Sequence, residues 1–197
     1  TGQSKLENSQ PFVTDFGDGF IAMAHNGDIV NSGELRKQLI DEGFYFKSDS
    51  DSEVICYMLK REHYDNDKNV LEAIEEVCKK LVGSYALTIL IDGELYGVRD
   101  PMGIKPLAVA KRDGEFVLAS ETVAFDVINA EYIRDIVPGE VVYFENDEIN
   151  SHMLETPRIK ALFDRLCNTA EQSVYAVREH IIKSDFIPMG YEISFDE

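Results

Sequence analysis

At Gly83 the sequence changes its hydrophobic period, and few folds accommodate what lies on both sides of that point. Before it, Val70, Ile74, Val77 and Leu81 recur at helical spacing, with Leu71 and Cys78 widening the stripe into one face of a helix over 69–82. After it, Tyr85, Leu87, Ile89 and Ile91 alternate as a half-buried strand requires. Asp92-Gly93 suits a tight hairpin turn, and 95–98 returns as the partner strand. A second hairpin is expected from 107–111 and 115–119 across Arg112-Asp113-Gly114, then a short helix capped by Ser120 and running through Phe125 and Ile128, then strands at 132–136 and 140–144. Antiparallel hairpins after a run of helices define an α+β protein with helices layered on sheet. The four hairpin strands are expected to be neighbours, with helices over 33–42, 53–62 and 69–82 on one face.

Upstream, residues 1–19 are polar and read as loop with one strand at Phe12-Val13. The apolar run Phe20-Ile21-Ala22-Met23-Ala24 reads as a buried strand that stops at a tight Asn26-Gly27 turn. There Asn26 can offer a side-chain amide N–H and Gly27 an unobstructed backbone N–H to one point, as stabilising an oxyanion in acyl transfer requires. An ordinary hairpin turn uses the same pair, so the dipeptide alone leaves both readings open. Asn31 or Ser32 then caps a helix with Leu35, Leu39 and Ile40 on its apolar face and Gly43 as its C′ residue. The run Lys47-Ser48-Asp49-Ser50-Asp51-Ser52-Glu53 leads into a helix carrying Val54, Ile55, Met58 and Leu59. Asp49 and Asp51 suit its N-terminus as acceptors for orphan N–H groups, and read equally well as functional carboxylates. Residues 156–183 fit one long amphipathic helix, whose stripe from Ile159 to Ile181 calls for a packing surface.

Charge narrows the partners. With 37 acidic and 19 basic residues, the net charge of −18 argues against a nucleic-acid or anionic-membrane surface. No stretch approaches a membrane span and the start lacks signal-peptide features, so a cytoplasmic protein is expected. Cys56, Cys78 and Cys167 are far apart within apolar helical patterns, as buried reduced thiols would be. His25, His63, His152 and His180 show no metal-ligand spacing, and neither metal nor cofactor is expected.

Seven blocks, in order, carry a family likeness: Gln10-Pro11-Phe12; Ala24-His25-Asn26-Gly27-Asp28-Ile29-Val30-Asn31; Glu34-Leu35-Arg36; Ser50-Asp51-Ser52-Glu53-Val54-Ile55; Arg99-Asp100-Pro101-Met102-Gly103-Ile104-Lys105-Pro106-Leu107; Ala119-Ser120-Glu121; and Arg134-Asp135-Ile136-Val137-Pro138-Gly139-Glu140. Together they resemble, over about residues 1–145, the glutaminase domain of amidophosphoribosyltransferases, a class II glutamine amidotransferase of purine biosynthesis. The Arg-Asp-Pro block also resembles asparagine synthetases, and the His-Asn-Gly block glucosamine-6-phosphate synthases. The Ser-Asp-Ser-Glu and Arg-Asp-Ile-Val-Pro-Gly-Glu forms favour the first. The resemblance implies the N-terminal-nucleophile hydrolase fold, a four-layer αββα sandwich, here expected to be incomplete at its N-terminus. It divides the chain into a partial domain over 1–150 and an amphipathic helix and tail over 151–197.

In that family an N-terminal cysteine attacks the side-chain amide of glutamine, with its own α-amino group as base, and releases ammonia through a thioester. Carried over, Asn26 and Gly27 match the oxyanion-hole pair, Asp51 matches the carboxylate that holds the α-amino group of glutamine, and Arg99 and Asp100 fall in a structural brace. No cysteine precedes Cys56, and the family's Arg-x-x-Thr segment that grips the glutamine carboxylate has no match, so residues 1–197 alone are expected to lack glutaminase activity. The expected partners are glutamine, a phosphoribosyltransferase domain or other ammonia-accepting subunit, and a second copy of the chain through unpaired sheet edges. Two other functions fit the same blocks: a stand-alone ammonia-supplying subunit of the glutamate-synthase type, and a non-catalytic binding or regulatory module.

Overall fold

The computed structural model describes residues 8–15 and 19–155. The chain divides into units Thr1–Leu154 and Glu155–Glu197; the first is described here, and the helix expected over 156–183 lies outside the described residues. In chain order the elements are β1 (Phe12–Asp15), β2 (Phe20–Ile29), α1 (Ser32–Asp41), α2 (Asp51–Lys60) continued by a π-helical turn (Arg61–Asp65), α3 (Val70–Cys78), β3 (Gly83–Ile91) and β4 (Glu94–Arg99). The second half adds β5 (Ala108–Arg112), β6 (Glu115–Ala119), α4 (Val123–Ile128), β7 (Glu131–Asp135), β8 (Glu140–Glu145) and β9 (Glu148–Met153).

The strands form two antiparallel sheets, one of six in the order β1-β2-β3-β4-β8-β9 and one of three in the order β6-β5-β7. Period-two alternation decides which face each residue joins. Tyr85, Leu87, Ile89 and Ile91 on β3, with Ile21, Met23 and Ile29 on β2, bury one face of the large sheet against α1, α2 and α3. The opposite face packs on the small sheet through Ala86, Leu107, Ile136 and Val142. Phe125 of α4 covers Ala108 and Ala110 on the outside of the small sheet. The layers therefore run helix, sheet, sheet, helix, the αββα sandwich that the resemblance implies.

Several local expectations need correction. Asn26-Gly27 makes no turn: β2 continues to Ile29 and pairs along its length with β3, Gly27 opposite Tyr85. The two hairpins are not neighbours in one sheet, since β3-β4 belongs to the large sheet and β5-β6 to the small one. The cause is a bend at residues 100–107 fastened by two side chains. Arg99 donates to the carbonyls of Gly103, Lys105 and Ile136 at 2.6–3.0 Å, and the buried Asp100 carboxylate accepts from the N–H groups of Met102, Ile104 and Lys105. Ile40 points outward, at 52% exposure, leaving Leu35 and Leu39 to seat α1. Thr122, not Ser120, stands at the N-cap of α4. The strand β9 follows a turn in which Asn146 and Asp147 both take positive φ, and nothing in the alternation of 148–153 announces it.

Candidate functional site

The backbone of β2 sets the site. Phe20 accepts from Asp92, and Val30 donates to Val82, so the even positions of β2 turn their N–H and C=O groups towards β3. Odd positions therefore face the opposite edge. Along β1 that edge is paired only as far as Met23, which lies opposite Phe12, and beyond it the groups of His25, Gly27 and Ile29 have no strand beside them among the described residues. Side chains occupy two of the three. The Gln10 side-chain amide pairs with the His25 backbone as a peptide would, accepting from its N–H and donating to its carbonyl at 2.9 Å. A carboxylate oxygen of Asp51 accepts from the Ile29 N–H at 3.0 Å. Between them the Gly27 N–H has no acceptor among the described residues.

Gly27 cannot be replaced by a larger residue without moving the strands. A Cβ there would stand 2.0 Å from the Ser84 carbonyl oxygen and 2.7 Å from His25 Nε2. The residue is glycine because the backbones of β2 and β3 approach closely at this pair.

Asp51 is the first residue of α2, whose N-terminus favours negative charge. Ser50 caps the helix by accepting from the Ser52 N–H, and Arg36 fastens the approach by donating to the carbonyls of Ser48 and Ser50 at 2.7–2.8 Å. The carboxylate is buried, 5% exposed, and its other oxygen lies 3.7 Å from His25 Nδ1. That separation is too long for a hydrogen bond. The ring nitrogen instead meets the Ser52 hydroxyl at 3.2 Å. Burial by itself would raise the Asp51 carboxyl, but the His25 ring and the Ile29 N–H outweigh it and hold the group well below the ordinary carboxylate range. A side chain ionised throughout the neutral range therefore stands two residues along the strand from the Gly27 N–H.

Asn26 presents its side chain on the exposed side, and its amide donates to the Ser120 hydroxyl at 3.1 Å. Asn26 and Gly27 thus adjoin on β2, and Asp51 meets the same strand at Ile29. A groove of about 830 Å³ lies apart from them, between β1, the loop 42–48 and α2, and includes none of the three in its lining. Sequence reasoning passed over Gln10, His25 and Ser52, and gave Ser120 to a helix cap. Only their place inside the recurring blocks marked them, because their partners lie 15 to 94 residues away.

Neither described cysteine can serve as nucleophile. Cys56 and Cys78 are buried on α2 and α3, and burial, with the nearby charges of Glu53 and Glu75 respectively, pushes each thiol up to about 12. Among the described residues no group of three His, Cys, Asp or Glu side chains could hold a metal ion, and no helix is long and apolar enough to cross a membrane.

Comparison with known proteins identifies a family. The family described as "Glutamine amidotransferase domain" matches residues 3–127. The amidophosphoribosyltransferase of Methanothermobacter thermautotrophicus is 56% identical over 143 residues, covering 73% of this chain and 30% of that protein. That of Archaeoglobus fulgidus is 43% identical over 149 residues, 76% of this chain and 32% of its own length. Among solved structures, the glutamine phosphoribosylpyrophosphate amidotransferase from B. subtilis complexed with ADP and GMP superposes with a TM-score of 0.70 at 34% identity, covering 77% of this chain and 33% of that one. The chain spans about a third of the length of the relatives it matches.

Proposed function

The chain belongs to the glutamine amidotransferase domain family, and from that premise we propose that it is the glutamine-hydrolysing part of an amidophosphoribosyltransferase, releasing ammonia for phosphoribosylamine synthesis. The observation that supports this reading is the Gly27 N–H, which has no acceptor among the described residues and lies between two edge groups that side chains occupy. During attack on the glutamine amide the carbonyl oxygen gains negative charge. On this reading the Gly27 N–H and the second N–H of the Asn26 amide receive it. On this reading Asp51, which its neighbours keep ionised against the effect of burial, holds the substrate's α-ammonium group.

On this reading the attacking thiol carries a free α-amino group, which Cys56, Cys78 and Cys167 as internal residues lack, and belongs to a Cys-led segment that works together with these residues. Residues 1–197 alone are then expected to be inactive, and a phosphoribosyltransferase domain or ammonia-accepting partner consumes the product. Glutamate release from glutamine tests the reading, measured for the complete gene product and for residues 1–197. The reading expects activity only in the former, reduced about 10²–10³-fold in kcat by Asn26→Ala. It fails if the complete product has no glutaminase activity, or if Asn26→Ala leaves that activity intact.

A further inference from the structure

We propose that Ser120 is a positioning residue for this site, orienting the Asn26 amide as an oxyanion donor; the inference rests on the glutaminase reading given above. Three observations place it there. The Ser120 hydroxyl accepts from Asn26 Nδ2 at 3.1 Å, a contact between the two sheets that joins residues 94 apart in sequence. Ser120 is not engaged as a helix cap, because α4 begins after Thr122. Its location is fixed from below: two residues earlier, Leu118 packs into the inter-sheet core, where a Cβ on Gly97 would lie 2.9 Å from the Leu118 side chain.

The chemistry requires such a partner. An exposed asparagine has a broad, nearly two-fold preference about its terminal torsion, so an unheld Asn26 would present its carbonyl oxygen to the developing anion about as readily as its N–H. A donor contributes to an oxyanion hole when it is oriented beforehand, not when it must turn during the reaction. The amide nitrogen carries two hydrogens. Donating one to Ser120 fixes the plane and end of the amide while leaving the other for the substrate oxygen. The contact also ties the small sheet to the site, so the inter-sheet packing sets the position of a donor on the large sheet.

Ser120→Ala removes the acceptor without disturbing a packed element, and Ser120→Thr keeps the hydroxyl. In the complete gene product, Ser120→Ala is expected to lower glutaminase kcat roughly tenfold with KM within twofold, because orientation of a transition-state donor is lost while substrate binding is not. Ser120→Thr should recover most of that loss. In residues 1–197, the two Asn26 side-chain amide protons should differ clearly in NMR shift in the native protein and draw together in Ser120→Ala. An active wild type whose kcat is unchanged by Ser120→Ala, or altered equally by Ser120→Thr, overturns the assignment and leaves the glutaminase reading standing. Asn26 amide resonances indifferent to Ser120→Ala overturn it as well. An inactive wild type removes the glutaminase reading, and with it the role given to Ser120.

Discussion

Gly27→Ala puts the geometry of the site under the most direct load. The new Cβ would stand 2.0 Å from the Ser84 carbonyl oxygen, whereas real Cβ contacts essentially never fall below 3.0 Å, so β2 and β3 must part locally by about 1 Å. Parting at the Gly27–Tyr85 pair stretches the hydrogen-bonded pairs on either side, Asn26–Ala86 and Asp28–Ser84. If two of those bonds are lost, at about 0.5–1.5 kcal/mol net each, and overpacking adds about 1–3 kcal/mol, the destabilisation comes to about 2–6 kcal/mol. That is a large part of the 5–15 kcal/mol typical of a native domain. Gly33→Ala is the matched control. It lies in α1 with nothing within 4 Å of its Cβ position, and should stabilise by about 0.5 kcal/mol through helix propensity and a less flexible unfolded chain. Urea unfolding followed by far-ultraviolet circular dichroism reads both. A Gly27→Ala variant within about 1 kcal/mol of wild type, beside a Gly33→Ala variant that behaves as expected, would show that the two strands do not approach closely here and would refute the argument for glycine at this position.

Two further outcomes follow from buried ionisable groups. Burial works to raise Glu62, yet hydrogen bonds from Lys68, Lys80 and Asn66 bring it down to about 2. Its ionised form therefore stabilises the fold fully above the unfolded value near 4.3, by about 1–2 kcal/mol once screening at the half-exposed lysines is allowed for, and that contribution fades as pH falls towards 2. The stability gap between wild type and Glu62→Gln should be open at pH 7 and close between about pH 4 and pH 2; a gap that does not vary with pH would contradict the network. Cys56 and Cys78, with thiols raised to about 12, should resist iodoacetamide at pH 8 in the native protein and react on unfolding. Peptide mapping that finds either one alkylated at the unfolded rate would show that its burial is wrong.

The sequence was most legible where local chemistry and tertiary pairing agree. Asp92-Gly93 takes the positive φ that a tight hairpin needs, and β3 and β4 pair directly across it. It misled at Asn26-Gly27, where the same local preference is overridden by a pairing 58 residues distant: Gly27 meets Tyr85 in the middle of a ladder, and glycine serves close approach instead of a turn. Asp51 was readable as an oxygen acceptor at a helix start, but its actual acceptance, from Ile29, depends on β2 passing beside α2 and has no local signature. The Ala119-Ser120-Glu121 block looked like a cap because capping is the commonest local use of serine, and the contact that displaces this reading spans the two sheets.

An unpaired strand edge normally invites another strand, and proteins spend charge, proline or short length to prevent it. Beyond the end of β1 the edge of β2 is managed by two side chains with different effects. Gln10 both donates and accepts, so it closes the His25 position as completely as a neighbouring peptide would. Asp51 only accepts, and its charge opposes the carbonyls of any incoming strand while remaining compatible with a cation. The four residue steps from 25 to 29 span about 13 Å at strand rise, and both ends of that span are occupied. Among the described residues, what is left at Gly27 is too short for strand addition, and under the proposed function its N–H and the adjacent negative charge serve one small molecule carrying a carbonyl and an ammonium group. On the proposed function the two capping side chains guard the edge that binds substrate, and on this argument a Gln10→Ala variant reopens the edge to strand pairing before it affects the Asn26 amide.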